Sequence, residues 1–373
     1  MTFLIITYVA HKHFNGAYYA YGPYVKEINL WVKYADKVLV LAPVSYNEHP
    51  DEIDLQFYHP AIEFIPVHDF NLVGISSIIK SVLIIPSIVW QSIRTIKKAD
   101  HIHLRCPGNM GLLGCIAQVF FSGKIKTAKY AGNWDRNSEQ PWSYKLQRWL
   151  LNNTFLTRKM QALVYGHWPG NTTNILPFFT ASYTETDRVE ICPRDFHGFI
   201  KLIFVGSLTK GKHPLISCMV AKQLLEKRIP VSLELYGEGP ERKQIEKFIS
   251  GNQLGKNIQL NGNQKDEVLK AAYQQAHFLV FISESEGWPK AVSEAMWWGC
   301  LPVTTAVSCV PEMVGYGERG DLVNADPTEV VNRIEYYINH PQEYKAKCIA
   351  AMKWSRQYTL ECFEKEIKKL MHS

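Results

Sequence analysis

Two glutamates and a short run of lysines are the side chains whose types and spacing suggest chemistry in this sequence. Glu286 and Glu294 fall within Phe278-Leu-Val-Phe-Ile-Ser-Glu-Ser-Glu-Gly-Trp-Pro-Lys-Ala-Val-Ser-Glu-Ala-Met-Trp-Trp-Gly-Cys-Leu-Pro-Val. The stretch reads as a buried strand, a polar loop, a helix and a second buried strand. Pro289 suits a first helical turn, where a missing N–H costs nothing, and Gly299 suits the position just past a helix end. Such a helix aims its open amides and positive dipole at the carboxyl end of the strand, which is a site for phosphate. Glu286 precedes the helix. Glu294 sits on its second turn and leans back toward the N-terminus. Carboxylates placed there suit the paired hydroxyls of a ribose or a sugar. On spacing alone a second reading stands beside this one, in which Glu286 caps the helix and Glu294 is solvated.

The lysines follow the same geometry. Phe204-Val-Gly-Ser-Leu-Thr-Lys-Gly-Lys-His-Pro joins a strand to a helix. Gly206 and Gly211 allow close backbone approach, while Lys210 and Lys212 bring ammonium groups to a strand end. A pyrophosphate leaving group needs positive charge of this kind; an ordinary basic surface loop has the same composition. A third strand-turn-helix piece, Leu235-Tyr-Gly-Glu-Gly-Pro-Glu-Arg, carries Gly237 and Gly239. Arg242 stands where a dinucleotide fingerprint needs its third glycine, so the turn does not specify NAD.

The elements that must position these residues alternate along nearly the whole chain. Strands are expected at Phe3–Thr7, Lys37–Leu41, His101–Leu104, Thr127–Ala131 and Ala162–Tyr165. In the second half they are expected at Lys201–Val205, Ser232–Tyr236, Ile258–Leu260, Phe278–Ile282 and Leu301–Thr304. Amphipathic helices such as Pro214–Lys227 and Pro240–Ile249 lie between them, and this alternation indicates parallel α/β sheets. An aperiodic stretch near 185–200 divides the chain. The expected organisation is a Rossmann-like domain over 1–190, a second over 198–355, and a terminal helix over 356–373 that packs back on the first. Two doubly wound domains that face each other form a cleft at the carboxyl ends of their strands.

Composition sets the outer limits. The 373 residues are 46% hydrophobic and 20% charged, which suits globular domains and excludes disordered, collagenous and coiled-coil classes. No apolar run reaches membrane-helix length; Ile75–Trp90 comes nearest and is interrupted by Ser76, Ser77, Lys80, Ser81, Pro86 and Ser87. The N-terminal residues lack signal-peptide features. Eight cysteines form no Cys-x-x-Cys pair, so reduced thiols and a cytoplasmic location are expected. A net charge of +6 favours phosphorylated ligands or an anionic membrane face and does not indicate nucleic acid.

Taken in order, these motifs resemble those of the family-4 retaining glycosyltransferases of the GT-B fold. The family pattern Glu-Gly-Phe-Gly-x-x-x-x-Glu-Ala-Met-x-x-Gly-x-Pro-Val is matched by Glu286-Gly287-Trp288-Pro289 and Glu294-Ala295-Met296, with Gly299, Pro302 and Val303 in register. Val205-Gly206-Ser207-Leu208 with Lys212 is similar to Val-Gly-Arg-Leu-x-x-x-Lys. Gly237–Pro240 and Pro311-Glu312 match further family positions. The likeness is strong over Lys201–Val323 and weak in the first half.

The resemblance implies a GT-B fold and transfer of a sugar, with retention, from a UDP- or GDP-sugar to a glycan or lipid-linked acceptor in cell-surface polysaccharide or glycolipid synthesis. It implies that Glu286 contacts donor-sugar hydroxyls and that Glu294 binds the ribose. The diphosphate would lie on backbone around Gly287, Trp288, Pro289, Lys290 and Ala291, helped by Lys212, and Asn261-Gly262-Asn263 would line the base. No cofactor and no metal are implied, and no Asp-x-Asp occurs. In the retaining mechanism the leaving phosphate takes the acceptor proton on the same face, so no separate base is required.

Three departures stand out. Ser207 replaces the family's arginine, leaving Lys210 or Lys290 to supply the charge. Ala131-Gly132-Asn133-Trp134-Asp135 has no histidine where many members carry one. His103 resembles a family position, yet a lone histidine is commonly structural. In the first half, Gly16 lies in a loop similar to the family's glycine loop, and Tyr18, Tyr19, Tyr21 and Tyr24 suit either sugar stacking or a helix core.

Two basic, tryptophan-bearing segments, Ile75–Lys98 and Trp142–Lys159, suit either a lipid interface or packing on the sheet, which would make the enzyme peripheral on the cytoplasmic face of the membrane. The competing functions are a non-catalytic nucleotide-sugar or glycan binder, a nucleotide-sugar epimerase and, more remotely, an NAD-dependent oxidoreductase.

Overall fold

The computed structural model describes residues 1–51, 53–67 and 75–372; side chains are described outside 75–83 and 372. The chain folds as two compact units, one of Met1–Phe179 with Phe363–Ser373 and one of Thr180–Cys362.

The first unit contains β1 (Thr2–Ile6), β2 (His11–Phe14), β3 (Ala17–Tyr21), α1 (Gly22–Val32), β4 (Lys37–Tyr46), β5 (Asp54–Gln56) and β6 (Ile62–Val67). It continues through α2 (Ile75–Lys98), β7 (His101–Cys106), α3 (Asn109–Ala117), β8 (Ile125–Tyr130), α4 (Trp142–Leu151), β9 (Met160–Tyr165) and β10 (Ile175–Phe178). The sheet runs β10-β9-β8-β7-β1-β4 in parallel and extends through β2, β3 and β5. The first half of β4 also pairs with β6, and its last residues pair with β2. Residues Phe3–Ile6 and Val38–Ala42 are buried throughout, as central strands covered on both faces require.

The second unit contains β11 (Ile200–Val205), α5 (Pro214–Glu226), β12 (Val231–Tyr236), α6 (Arg242–Gly251), β13 (Ile258–Gly262), α7 (Asp266–Gln275), β14 (Phe278–Phe281), α8 (Lys290–Trp297) and β15 (Leu301–Thr305). Then come α9 (Val310–Met313), β16 (Asp321–Val323), α10 (Pro327–Asn339) and α11 (Pro341–Ser355); α12 (Leu360–His372) starts here and from Phe363 onward belongs to the first unit. Its six-stranded sheet is parallel, in the order β13-β12-β11-β14-β15-β16. Each sheet has helical crossovers and its own apolar core, so both units are Rossmann-like.

All ten expected strands are present within a few residues, and six more were not expected: β2, β3, β5, β6, β10 and β16. The chain from His11 to Tyr21 is a hairpin, which corrects its reading as a loop. Its turn is Asn15-Gly16, with φ of 48° and 76°, the left-handed pair that a two-residue hairpin turn demands. Tyr18, Tyr19 and Tyr21 therefore lie on a strand, while Tyr24 is a buried helix residue of α1. β6 and β10 each hold a proline, Pro66 and Pro177, tolerated because each strand pairs on one side.

His103 is a core residue. It is fully buried beside Trp31 at 4.5 Å between ring centroids, and its Nδ1 meets the Thr127 hydroxyl at 2.9 Å. His101 shares that hydroxyl, and burial lowers the pKa of both rings. Near the start of α12, Phe363 packs on Phe178 and Phe179, with the Lys129 ammonium 5.8 Å from its ring.

All eight cysteines are free. Among the described residues no helix is long and apolar enough to cross a membrane. Part of the Ile75–Lys98 segment lies outside the described residues, since the side chains of 75–83 are not among them.

Candidate active site

The strand ends of the second unit carry three glycine turns that pack on one another. The Gly206 amide donates to the Tyr236 carbonyl at 2.9 Å, Leu208 to Glu238 at 2.9 Å, and Gly237 to Gly262 at 2.8 Å. A Cβ on Gly237 would lie 1.9 Å from the Gly206 oxygen, and one on Gly239 would lie 2.4 Å from the Leu208 oxygen. Backbone thus meets backbone, and no side chain fits between. The paired glycines that read as a weak nucleotide signal are required by this contact. Arg242 has a separate duty, bridging Glu238 and Glu246 along the helix face.

Lys212 closes a short 3-10 turn, Lys210–Lys212, and His213 follows in a left-handed conformation with φ 42°. That turn carries the lysine back over β14, where its ammonium lies 4.9 Å from the Phe281 ring and pairs with the Glu286 carboxylate. The Glu286 side chain is 9% exposed and that of Lys212 is 23% exposed. The loop bearing Glu286 is fastened at both ends. Glu284 donates its amide to the Gly211 carbonyl at 2.9 Å, and Ser308 and Cys309 donate to the Gly287 carbonyl at 3.2 and 3.3 Å. The Thr305 hydroxyl bridges the Ser283 amide and carbonyl at 3.0 and 2.6 Å.

These contacts decide between the alternatives left open above. No side chain caps α8, so Glu286 is a partner of Lys212 and not a helix cap. Lys212 is held in place, whereas Lys210 and Ser207 are exposed. Glu294 is half-buried: it accepts from the Ser182 hydroxyl at 2.6 Å and from the Tyr273 hydroxyl at 3.4 Å.

α8 begins at Lys290, with Pro289 at its N-cap. Val292 and Ser293 donate their amides to the Pro289 carbonyl at 3.0 and 3.3 Å, closing the first turn. Pro289 itself has no N–H, so backbone donors in this stretch are confined to Gly287, Trp288, Lys290 and Ala291. The Trp288 indole donates to Ser293 at 3.3 Å and stacks over Trp354 at 6.2 Å, fixing the loop ahead of the helix. Gly299, with φ 67°, ends the helix as its position suggested. Asn261 and Gly262 are half-buried at the end of β13, and Asn263 is exposed beyond it. Gly16 belongs to the first unit, at the tip of the β2–β3 hairpin.

Ser182, Tyr273 and Arg194 had no sequence signal. Ser182 and Arg194 lie in stretches without periodicity, and Tyr273 reads as an apolar residue of α7. Arg194 clasps the ends of two helices, donating to the carbonyls of Tyr273 and Gln274 on α7 and of Trp298 and Gly299 after α8. Its charge meets the negative end of both dipoles. Among the described residues no group of three or more His, Cys, Asp or Glu side chains converges as metal ligands do.

Residues 194–354 match the family model described as glycosyl transferases group 1. The matched residues lie within the second unit, and the two units together have the GT-B fold. Over 130 residues the sequence is 28% identical to WcaL of Salmonella typhimurium, named as a colanic acid biosynthesis glycosyltransferase, and equally to WcaL of Escherichia coli. Those matches cover 33% of this chain and 32% of each relative, so the chain spans about a third of the curated relatives it matches.

Among solved structures, Anabaena HepE in complex with UDP covers 100% of this chain and 99% of its own, with a TM-score of 0.70 at 15% identity. Sucrose-phosphate synthase from Thermosynechococcus elongatus covers 100% and 98%, with a TM-score of 0.69 at 17% identity. At such identities the likeness is one of fold.

Proposed function

We propose that this chain is a retaining, metal-independent glycosyltransferase that moves a sugar from a UDP- or GDP-sugar to a glycan or lipid-linked acceptor in cell-surface polysaccharide or glycolipid synthesis. The observation that carries the proposal is the Lys212–Glu286 pair. Two motifs far apart in sequence bring an ammonium and a carboxylate together at the strand ends, beside the start of α8. A sugar diphosphate offers both groups a partner. The leaving phosphate develops negative charge that Lys212 stabilises, and Glu286 accepts hydrogen bonds from sugar hydroxyls. Lys210 or Lys290 stands in for the charge lost at Ser207, and the amides of Gly287, Trp288, Lys290 and Ala291 hold the diphosphate. Glu294 binds the ribose diol, and Asn261-Gly262-Asn263 lines the base. The leaving phosphate takes the acceptor proton, so no further base is needed. The UDP held by HepE and the polysaccharide named for WcaL favour a uridine donor and a glycan acceptor.

Thermal unfolding in EDTA with UDP, GDP, ADP and NAD, each in turn, tests this reading. A nucleotide at about 100 times its dissociation constant adds about 2.7 kcal/mol, a shift of roughly 5–10 °C for a unit of this size. Stabilisation by UDP or GDP supports the transferase and names the donor class. Stabilisation by NAD alone overturns it. Ser207 favours a second reading, a non-catalytic nucleotide-sugar binder; release of UDP or GDP from the matching sugar donor separates the two.

A further inference from the structure

The charge of this protein is concentrated in one stretch. Residues 70–184 hold three acidic residues, Asp100, Asp135 and Glu139, against thirteen lysines and arginines. With a net charge of +6 for the whole chain, the remainder is net acidic. Within this stretch α2, α3 and α4 pack on the same apolar core, with α3 between the other two. They therefore lie side by side on one face of the first sheet.

The outer side of this layer is aromatic as well as basic. Trp90 on α2 is 60% exposed, Trp142 and Trp149 on α4 are 66% and 57% exposed, and Phe155 just after it is 73% exposed. Ile116 and Phe120, at the end of α3, are 40% and 75% exposed. Every exposed tryptophan among the described residues belongs to this layer. Basic groups sit on the rings: Arg94 lies 5.3 Å from Trp90 and Arg158 lies 5.2 Å from Phe155. Lys97, Lys98 and Lys145 are exposed alongside.

We propose that the α2–α3–α4 face is a docking surface for an anionic lipid bilayer, in which the exposed aromatics enter the headgroup region and the lysines and arginines meet the phosphates. Tryptophan and phenylalanine framed by cations are the side chains that gain most at such an interface. Charge complementarity chooses the occupant. A second copy of the chain would bring like charges together across the face, whereas an anionic bilayer neutralises them. The inference is independent of the catalytic reading, because nucleotide binding belongs to the second unit and vesicle binding to the first.

Flotation of the 373-residue chain with vesicles of phosphatidylcholine, or of phosphatidylcholine with phosphatidylglycerol, provides the test. The protein is expected to float with the anionic vesicles and not with the neutral ones. Trp142→Ser with Phe155→Ser should lower vesicle affinity at least about ten-fold, since each ring loses its buried area. Lys145→Ser with Arg158→Ser should lower it roughly 25-fold, at about five-fold for each basic group. Phe199→Ser, which removes an exposed ring from the second unit, should float like the parent. Each of the following results overturns the proposal: no flotation of the parent, equal flotation with neutral vesicles, or parental flotation of both surface variants. A parent dimer that the ring substitutions convert to monomer would assign the face to a second copy instead.

Discussion

Replacing Lys212 by methionine separates the structural part of the Lys212–Glu286 pair from its chemical part. The substitution keeps the stem that lies over Phe281 and deletes the charge. Glu286 is then a carboxylate with 9% exposure and no ammonium beside it. An unsatisfied charge of that burial costs roughly 2–3 kcal/mol, or a fall in Tm of about 4–12 °C. Glu286→Gln leaves the opposite orphan, but the lysine is more exposed and its flexible end can reach water, so the cost should stay below about 1 kcal/mol.

In Lys212→Met/Glu286→Gln the orphaned charge is gone, and stability should return to within about 1 kcal/mol of the parent. Turnover should not return. Removing one preorganised group aimed at a developing charge costs about 10²–10³ in kcat, with a smaller change in donor Kd. The assay is a full cycle of the four proteins, with Tm by calorimetry and nucleotide release by a coupled assay. Parental turnover by Lys212→Met would refute the leaving-group role, and recovery of turnover in the double variant would make the pair purely structural.

Glu294→Ala should weaken UDP or GDP binding by more than ten-fold, at roughly 1.5–3 kcal/mol for hydrogen bonds to a charged group; unchanged titration calorimetry removes it from the ribose. Arg194→Met should destabilise the second unit by roughly 3–5 kcal/mol, because four helix-end carbonyls lose one cation; an unaltered urea midpoint would show the clasp to be idle. His11 and His101 have pKa values lowered to about 4 by burial, against about 6.5 in the unfolded chain. The unfolded state therefore binds more protons between these values. The contribution of each ring is intact above about pH 6.5 and falls away toward pH 4, by roughly 3 kcal/mol. Denaturant midpoints measured from pH 7 to 4.5 should fall accordingly, and His101→Gln should flatten the curve; a level profile in the parent would contradict the burial argument.

What the sequence shows of this molecule is what depends on neighbours in the chain. The central strands are continuous apolar runs, and Pro289 and Gly299 bracket α8 because helix ends have local requirements. The Asn15-Gly16 hairpin is equally local, but a glycine in a loop similar to the family's glycine loop reads as a ligand contact, and the same residue serves here as a turn. β6 and β10 hide behind their prolines, whose cost depends on which edge is paired. The pairing of Lys212 with Glu286, the hydroxyls of Ser182 and Tyr273 on Glu294, and the Arg194 clasp arise from distant segments that meet only once the sheet has formed. No spacing rule reaches them. The packing of Gly237 on Gly206 likewise joins distant segments and gives those glycines a structural duty of their own.

The path of the chain through the two units orders their assembly during synthesis. Everything the second core needs lies between Thr180 and Cys362, so that core can close soon after this stretch leaves the ribosome. The first core has no such freedom. Phe363, Ile367, Leu370 and Met371 are buried parts of it, and they emerge after the whole second unit. The earlier half of the chain thus waits, with Phe178 and Phe179 uncovered, while the later half matures.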